Sequence, residues 1–129
     1  MNSNLQNAAA LAGRILIAAL FVWSGWHKIT GFDGSLAYMT NAGLPFPYVL
    51  LIMTIALELG GGLLLIAGFQ TRWVALAIFL FLIPVTAVFH QPTTQPQLIH
   101  FLKNLSIMGA MLHLVAFGAG AWSMDGKRK

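Results

Sequence analysis

Charged side chains are rare in this chain, and one carboxylate falls in the middle of a long apolar run. Glu58 lies inside that run and is followed by three consecutive glycines, residues 60–62. A carboxylate at membrane depth costs about 2.5–3.5 kcal/mol on insertion scales, so we expect Glu58 to face protein or a cavity and to have a partner. A carboxylate in such a place can hold an ion pair or carry protons. Glu58 is therefore the candidate catalytic residue, as a proton carrier.

Arg14 is the candidate partner of Glu58. Counted from the midpoints of the spans predicted below, Glu58 lies near the centre of its span and Arg14 about one turn, ~5 Å, from that level. A long arginine side chain covers this gap, so we expect an intramembrane Arg14–Glu58 pair, bidentate where the geometry allows. The alternative is a pair that holds two helices together and has no further role.

A second set of polar side chains is expected near the external face of the bundle, at the end away from the chain termini. Depth and helical periodicity assign to it Lys28, His90, His100, Lys103 and Asn104, with Trp26 and His27 at its edge. With Arg14 and the ring of Phe21, the residues Lys28, His90, Lys103 and Asn104 are the candidate ligand-binding residues. The alternative for Lys28 is a side chain that snorkels to the interface, and for His90 a helix end beside a loop. This set predicts a cationic, hydrogen-bonding chamber above the ion pair.

The elements that must position these residues are membrane helices. The chain has 129 residues, of which 58% are hydrophobic and 8% charged, whereas a soluble domain carries about 25% charged residues. Apolar runs at about 8–29, 46–67, 72–90 and 98–119 each approach the ~20 residues that a spanning helix needs. We expect one all-α domain over 1–129, a four-transmembrane-helix bundle. A short interfacial helix from Asp33 through Asn41 is expected between the first two spans.

The distribution of basic residues predicts the orientation. Four spans place both termini and the turn between the second and third spans on one side of the bilayer. That side holds Arg72 and the basic residues 127–129, so the positive-inside rule puts both termini in the cytoplasm. Because the formal charge of +4 is concentrated in the tail, we expect no nucleic-acid partner. The first span is interpreted as retained, since no basic region precedes Arg14 and no small-residue cleavage site follows it.

Several kinds of chemistry are not indicated by the sequence. There are no cysteines, which removes thiol relays and thiolate metal sites. The four histidines are not spaced at i, i+4, so we expect no metal site. No phosphate-binding or dinucleotide-binding glycine pattern is present, and no redox cofactor of the chain's own is evident.

The ordered set of polar residues, glycines and prolines resembles the DoxX family of small bacterial inner-membrane proteins. The positions that carry the resemblance run along nearly the whole chain. They are Arg14, Phe21, Gly25 and Lys28; Gly43-Leu44-Pro45; Glu58 with the glycines after it; Gly68 and Arg72; His90; Lys103-Asn104 with Gly109; and Gly118, Gly120 and Asp125. The resemblance implies a four-helix bundle in the bacterial inner (cytoplasmic) membrane.

The function implied by this resemblance is loosely defined. It points to membrane components of quinone-linked oxidation and of responses to oxidants, and it supplies no settled catalytic set. We therefore expect a quinone or a related redox-active molecule to bind in the polar site, as part of a membrane oxidoreductase or an oxidative-stress system. Two alternatives stay open: a carrier or binding protein for a small anion or organic acid, and a structural anchor for a partner enzyme. The expected partners are the lipid bilayer, that small ligand, and either a second copy or a partner oxidoreductase subunit.

Overall fold

A computed structural model describes residues 2–89 and 94–127, and these residues form helices without any strand. The helices are α1 (Ser3–Thr30), α2 (Phe32–Asn41), α3 (Pro47–Ile55), a π-helical turn (Ala56–Gly60), α4 (Gly61–Ala67), α5 (Thr71–Phe89), α6 (Gln95–Phe117) and α7 (Met124–Lys127). Because α3, the π turn and α4 are continuous, they form one span, and the described residues contain four helices long and apolar enough to cross a membrane. The predicted four-helix fold is confirmed, together with the short helix between the first two spans. The orientation of the termini stays a prediction.

Capping side chains carry the helices beyond their apolar runs. The side chain of Asn2 accepts a hydrogen bond of 2.8 Å from the amide of Asn4, so α1 begins five residues before the apolar stretch. Thr94 accepts from the amide of Gln97 in the same way at the start of α6. At the end of α4, Gly68 adopts the left-handed conformation (φ 71°) that ends the second span.

Glycines bring α1 and the second span into close contact. A Cβ added to Gly62 would lie 2.8 Å from a methyl carbon of Val22, and one added to Gly25 would lie 2.8 Å from the backbone nitrogen of Leu59. Real side chains do not approach so closely, so these two positions need glycine for the helices to pack as they do. Of the glycine run at 60–62, Gly62 is therefore the residue that lets the second span pack closely on α1.

This contact fixes the relative height of the two spans. Because Gly25 lies level with Leu59 and the helices are antiparallel, α1 ends near the level of Thr54. The remaining seven residues of α3 extend about two turns, roughly 10 Å, above the end of α1. Helix α2 covers this part of the bundle, where it contacts α3 and the end of α1. The offset leaves room for a cavity between α1, α2, α3 and α5.

The hydrophobic core lies between the level of Glu58 and the chain termini, and it joins all four spans. Its buried members are Ala18, Phe21, Leu65, Ala75, Ile78, Leu82, Met111 and Leu114. Helix α6 packs mainly on α5, and the outer faces of the spans expose large apolar side chains. Such faces suit contact with lipid, which is as apolar as the side chains themselves.

Candidate functional site

A cavity of about 650 Å³ reaches the pair Lys28 and Glu58. Its other lining residues are mostly apolar, and most of them come from α2 and α5. Helix α2 contributes Gly34, Ser35, Tyr38 and Met39, and α5 contributes Phe81, Pro84, Val85 and Val88. A cavity of this size with an apolar lining and few polar groups is typical of a small-molecule site. We call it the Lys28–Glu58 cavity.

Lys28 and Glu58 form an ion pair at the wall of this cavity. The ammonium nitrogen of Lys28 lies 2.8 Å from Glu58 Oε1 and donates a second contact of 3.0 Å to the hydroxyl of Ser24. A lysine ammonium has three N–H donors. Ser24 takes one of them, and Glu58 Oε1 lies at ion-pair distance without accepting a well-aligned hydrogen bond, so at least one donor is not used within the described residues. The side chain of Glu58 is 10% exposed and that of Lys28 29%. The pair is therefore largely withdrawn from solvent and keeps one donor that can reach the cavity.

A local irregularity of the second span holds Glu58. Residues Ala56–Gly60 form a π-helical turn, with Glu58 at its centre. A π turn takes more residues than an α turn and changes the rotation of the side chains that follow. Such turns occur frequently at functional sites. Here the turn lies between the apolar helix α3 and Gly62, which packs against α1. The turn places the carboxylate beside Lys28.

The predicted Arg14–Glu58 pair is wrong. Eleven residues of α1 separate Arg14 from Gly25, the residue level with Leu59, which is about 16 Å along the helix. The prediction aligned the spans by the midpoints of their apolar runs. The glycine contacts instead shift α1 along the second span, so that Glu58 meets the last turns of α1.

Arg14 binds backbone carbonyl groups at the end of the bundle that carries the described termini, which we call the terminal face. One guanidinium nitrogen donates to the carbonyl oxygens of Leu65 (2.8 Å) and Ile66 (3.1 Å), and the other donates to that of Trp122 (2.6 Å). The last carbonyls of a helix lack intrahelical partners, so Arg14 satisfies the end of α4. It is 2% exposed and joins α1, α4 and the segment after α6.

Asp125 completes this terminal cluster. Its two carboxylate oxygens accept hydrogen bonds from the amides of Gln70 (2.8 Å) and Thr71 (2.9 Å) at the start of α5. Its own amide donates to the carbonyl of Gly68 at 2.9 Å. A carboxylate at a helix N-terminus satisfies orphan amides and favours the helix dipole. Asp125 therefore ties the segment after α6 to the turn between the second and third spans.

The remaining predicted ligand-binding residues lie away from the Lys28–Glu58 cavity or outside the described part of the chain. The amide of Asn104 donates to the hydroxyl of Thr86 at 3.0 Å, between α6 and α5. Lys103 is exposed on α6, and no described residue of α6 lines the cavity. Phe21 is buried in the core. His90 lies outside the described residues. A chamber shared by Lys28 with the polar residues of α6 is thus not formed among the described residues, and a ligand role for these positions stays a prediction.

Periodicity predicts which residues share a helix face, but not which neighbour that face meets. The polar stripe of α6 was expected to face Lys28, whereas the wall facing Lys28 comes from α2 and α5. Four polar residues at or beside this cavity were missed as site residues: Ser35, Tyr38 and Thr54, which line it, and Ser24, which accepts a hydrogen bond from Lys28. The i, i+4 spacing of Ser24 with Lys28 and of Thr54 with Glu58 is the signal that indicates two of them.

The arrangement supports binding and proton exchange more directly than metal chemistry. Lys28 carries exchangeable protons, the Glu58 carboxylate can accept one, and both residues line the cavity. Among the described residues, no group of three or more histidine, aspartate or glutamate side chains is placed to hold a metal ion. His27, which also lines the cavity, stacks on Trp23 with ring centroids 4.4 Å apart.

Comparison with known proteins agrees with this architecture. The DoxX family model matches residues 9–91. Two relatives in Escherichia coli (strain K12) are similar over most of their length. Inner membrane protein YqjF is 39% identical over 122 residues, covering 94% of this chain and 92% of YqjF. Inner membrane protein YphA is 33% identical over 121 residues, covering 89% of this chain and 86% of YphA. No solved structure matches the chain.

Proposed function

Since the chain belongs to the DoxX family and is an inner-membrane protein, we propose that its Lys28–Glu58 cavity binds a quinone or a related carbonyl-bearing redox-active molecule. The observation that carries this proposal is that Lys28 borders the cavity and has at least one N–H donor not used within the described residues. A quinone presents carbonyl oxygens on an otherwise apolar ring. One carbonyl accepts this donor while the ring lies among the apolar residues of α2 and α5.

The charge balance of the cavity favours a neutral ligand over an anion. Glu58 compensates the positive charge of Lys28 at 2.8 Å. An anionic ligand would have to displace that carboxylate or lie beside it, which like-charge repulsion opposes. A neutral carbonyl accepts a hydrogen bond without disturbing the pair. This supports the quinone proposal over the alternative of a carrier for small anions.

Proton exchange follows from the same geometry. When a quinone is reduced, each of its carbonyl oxygens takes up a proton. In the proposed complex Lys28 gives a proton to one carbonyl oxygen. Glu58, which holds Lys28 in place as a carboxylate, then takes up a proton from water and returns it to Lys28, and water supplies the proton for the other carbonyl oxygen. The electrons come from a partner oxidoreductase subunit or a bound cofactor, because the side chains that line the cavity carry no redox group. The proposed role is therefore a quinone-binding component of a membrane oxidoreductase or oxidative-stress system.

Mass spectrometry and absorbance of the detergent-purified protein test this proposal. We expect a quinone to copurify with the wild type and to be depleted in Glu58→Gln, because an unpaired Lys28 changes position. Lys103→Gln is the matched control, since Lys103 is also a polar residue of a span but does not line the cavity.

Each outcome of that experiment bears on the proposal. Equal loss of quinone from Lys103→Gln and Glu58→Gln would contradict the assignment to this cavity. An empty wild type that also shows no thermal shift with a short-chain quinone, but does with an organic acid, would support the anion carrier. A wild type that responds to neither would support the structural anchor.

A further inference from the structure

A second cavity lies on the terminal face, far from the Lys28–Glu58 cavity. It has a volume of about 440 Å³ and lies where α5 begins and α6 ends. Arg72, Trp73 and Phe117 line it, together with the backbone turn 118–121 and Asp125. We call it the terminal cleft. Nothing in the proposed quinone function uses it.

Arg72 is the free cation of this cleft. Its side chain is exposed and forms no hydrogen bond or ion pair within the described part of the chain. The guanidinium lies over Gly118, where an added Cβ would be 3.2 Å from the Arg72 Nε. Gly118 has a φ of 75° and a ψ of −165°, a conformation that belongs almost entirely to glycine. The turn after α6 thus leaves the space that the guanidinium occupies.

The acidic residue of the cleft, Asp125, is held by backbone amides and forms no salt bridge with Arg72 among the described residues. Both oxygens of Asp125 accept amide hydrogens from Gln70 and Thr71, and no described ion pair joins Asp125 to Arg72. The same carboxylate occupies the amides at the start of α5, so those amides are not available to a ligand. Arg72 therefore supplies the positive charge and the hydrogen-bond donors that a ligand in this cleft would meet.

The aromatic side chains of the cleft indicate where it lies in the membrane. Trp73 is 72% exposed and Phe117 70% exposed, each at the end of a spanning helix. Exposed tryptophan at the end of a span favours headgroup depth. Beyond these rings, the outer faces of α5 and α6 expose apolar side chains such as Leu80 and Leu112. The surface thus runs from a cation, through aromatic rings, to apolar helix faces. A ligand with a charged head and an apolar tail matches this sequence of surfaces.

We propose that the terminal cleft binds an anionic phospholipid, with Arg72 holding the lipid phosphate. The planar guanidinium matches phosphate oxygens in a bidentate geometry that an ammonium cannot reproduce. Trp73 and Phe117 flank the glycerol region, and the acyl chains follow the outer faces of α5 and α6. The exposed Lys127 on α7 adds a diffuse attraction for anionic headgroups but does not line the cleft.

Native mass spectrometry of the full-length, delipidated protein tests this site. The protein is titrated with phosphatidylglycerol or phosphatidylcholine of matched acyl chains. We expect the wild type to prefer the anionic lipid and Arg72→Gln to lose about tenfold in affinity for it, because a charged bidentate contact is removed. Arg72→Lys should lose part of the affinity, since it keeps the charge and loses the fork. Lys127→Gln is the control of equal charge change on the same face, and it should change the affinity less than about twofold.

Three outcomes would overturn the assignment. Equal losses in Arg72→Gln and Lys127→Gln would show a diffuse charge effect instead of a site. Equal binding of the two lipids by the wild type would remove the phosphate charge as the determinant. A thermal shift with inorganic phosphate that depends on Arg72 and exceeds the shift with phosphatidylglycerol would assign the cleft to a soluble phosphate. Unchanged helicity of the variants establishes that they fold.

Discussion

Two cations of α1, the buried Arg14 and the half-buried Lys28, have opposite surroundings. Arg14 is 2% exposed, and its two terminal nitrogens donate to three backbone carbonyls. Lys28 contacts Glu58 and Ser24, borders a cavity, and keeps a donor free. A charged residue at membrane depth is a candidate functional residue in either place. A cation at membrane depth is therefore a candidate for ligand binding when some of its N–H donors stay free, as in Lys28. It has a structural role when its terminal donors are taken up by the protein, as in Arg14.

The terminal face and the Lys28–Glu58 cavity are also stabilised by different interactions. On the terminal face, charged side chains satisfy the orphan backbone groups of helix ends, as Arg14 does for α4 and Asp125 for α5. At the cavity, two side chains of opposite charge lie 2.8 Å apart and attract each other. Removing a partner should therefore unfold the first region but alter ligand binding in the second.

The largest effect is expected for Arg14→Met. The substitution leaves the carbonyls of Leu65, Ile66 and Trp122 without their donor, so we expect the protein to lose about 3 kcal/mol of stability. The measurement is equilibrium unfolding of the detergent-solubilised protein. Arg72→Met is the matched control, because Arg72 is exposed and its substitution should change stability by less than about 0.5 kcal/mol. Equal effects of the two substitutions would remove the contrast between the regions.

A smaller effect is expected at the ion pair. Glu58→Gln and Lys28→Met should each destabilise the protein, and the double variant should be more stable than the sum of their effects predicts, with a coupling of about 1–2 kcal/mol. A cycle that pairs Glu58→Gln with Arg14→Met should be additive within about 0.5 kcal/mol, because the two residues do not touch. Coupling between Glu58→Gln and Arg14→Met, with none between Glu58→Gln and Lys28→Met, would support an Arg14–Glu58 pair and contradict the Lys28–Glu58 pair.

The overall fold was predictable because it depends on summed properties of the sequence. The length of the apolar runs, the loop glycines and prolines, and Asp33 at the start of a short polar segment were sufficient for four spans and the helix between the first two. The same summation could not give the axial alignment of neighbouring spans. That alignment depends on close contacts at single positions, Gly25 and Gly62, which a hydropathy pattern does not distinguish from other glycines.

The site was predicted in part for the same reason. Glu58 and Lys28 were identified as polar residues of spans, and Glu58 was expected to need a partner. Which cation it meets depends on the offset of α1, and the cavity depends on how α2 covers that offset. The π turn at Ala56–Gly60 also has no periodicity signal in the sequence, so a uniform rotation per residue misplaces the faces around Glu58.

The most direct test of the central claim fills the cavity without touching the ion pair. Gly34 lines the cavity, and a Cβ added there meets nothing within 4 Å. Gly34→Leu should therefore leave the fold intact and weaken binding of a short-chain quinone about tenfold or more, because the new side chain occupies the ligand's space. Gly109→Leu is the matched control: Gly109 is equally open but lies on α6, away from the cavity.

The measurement is the dissociation constant of the quinone for the wild type and these two variants. We expect weaker quinone binding for Gly34→Leu alone and unchanged thermal stability for both variants. Unchanged quinone affinity in a folded Gly34→Leu protein would contradict the Lys28–Glu58 cavity as the quinone site.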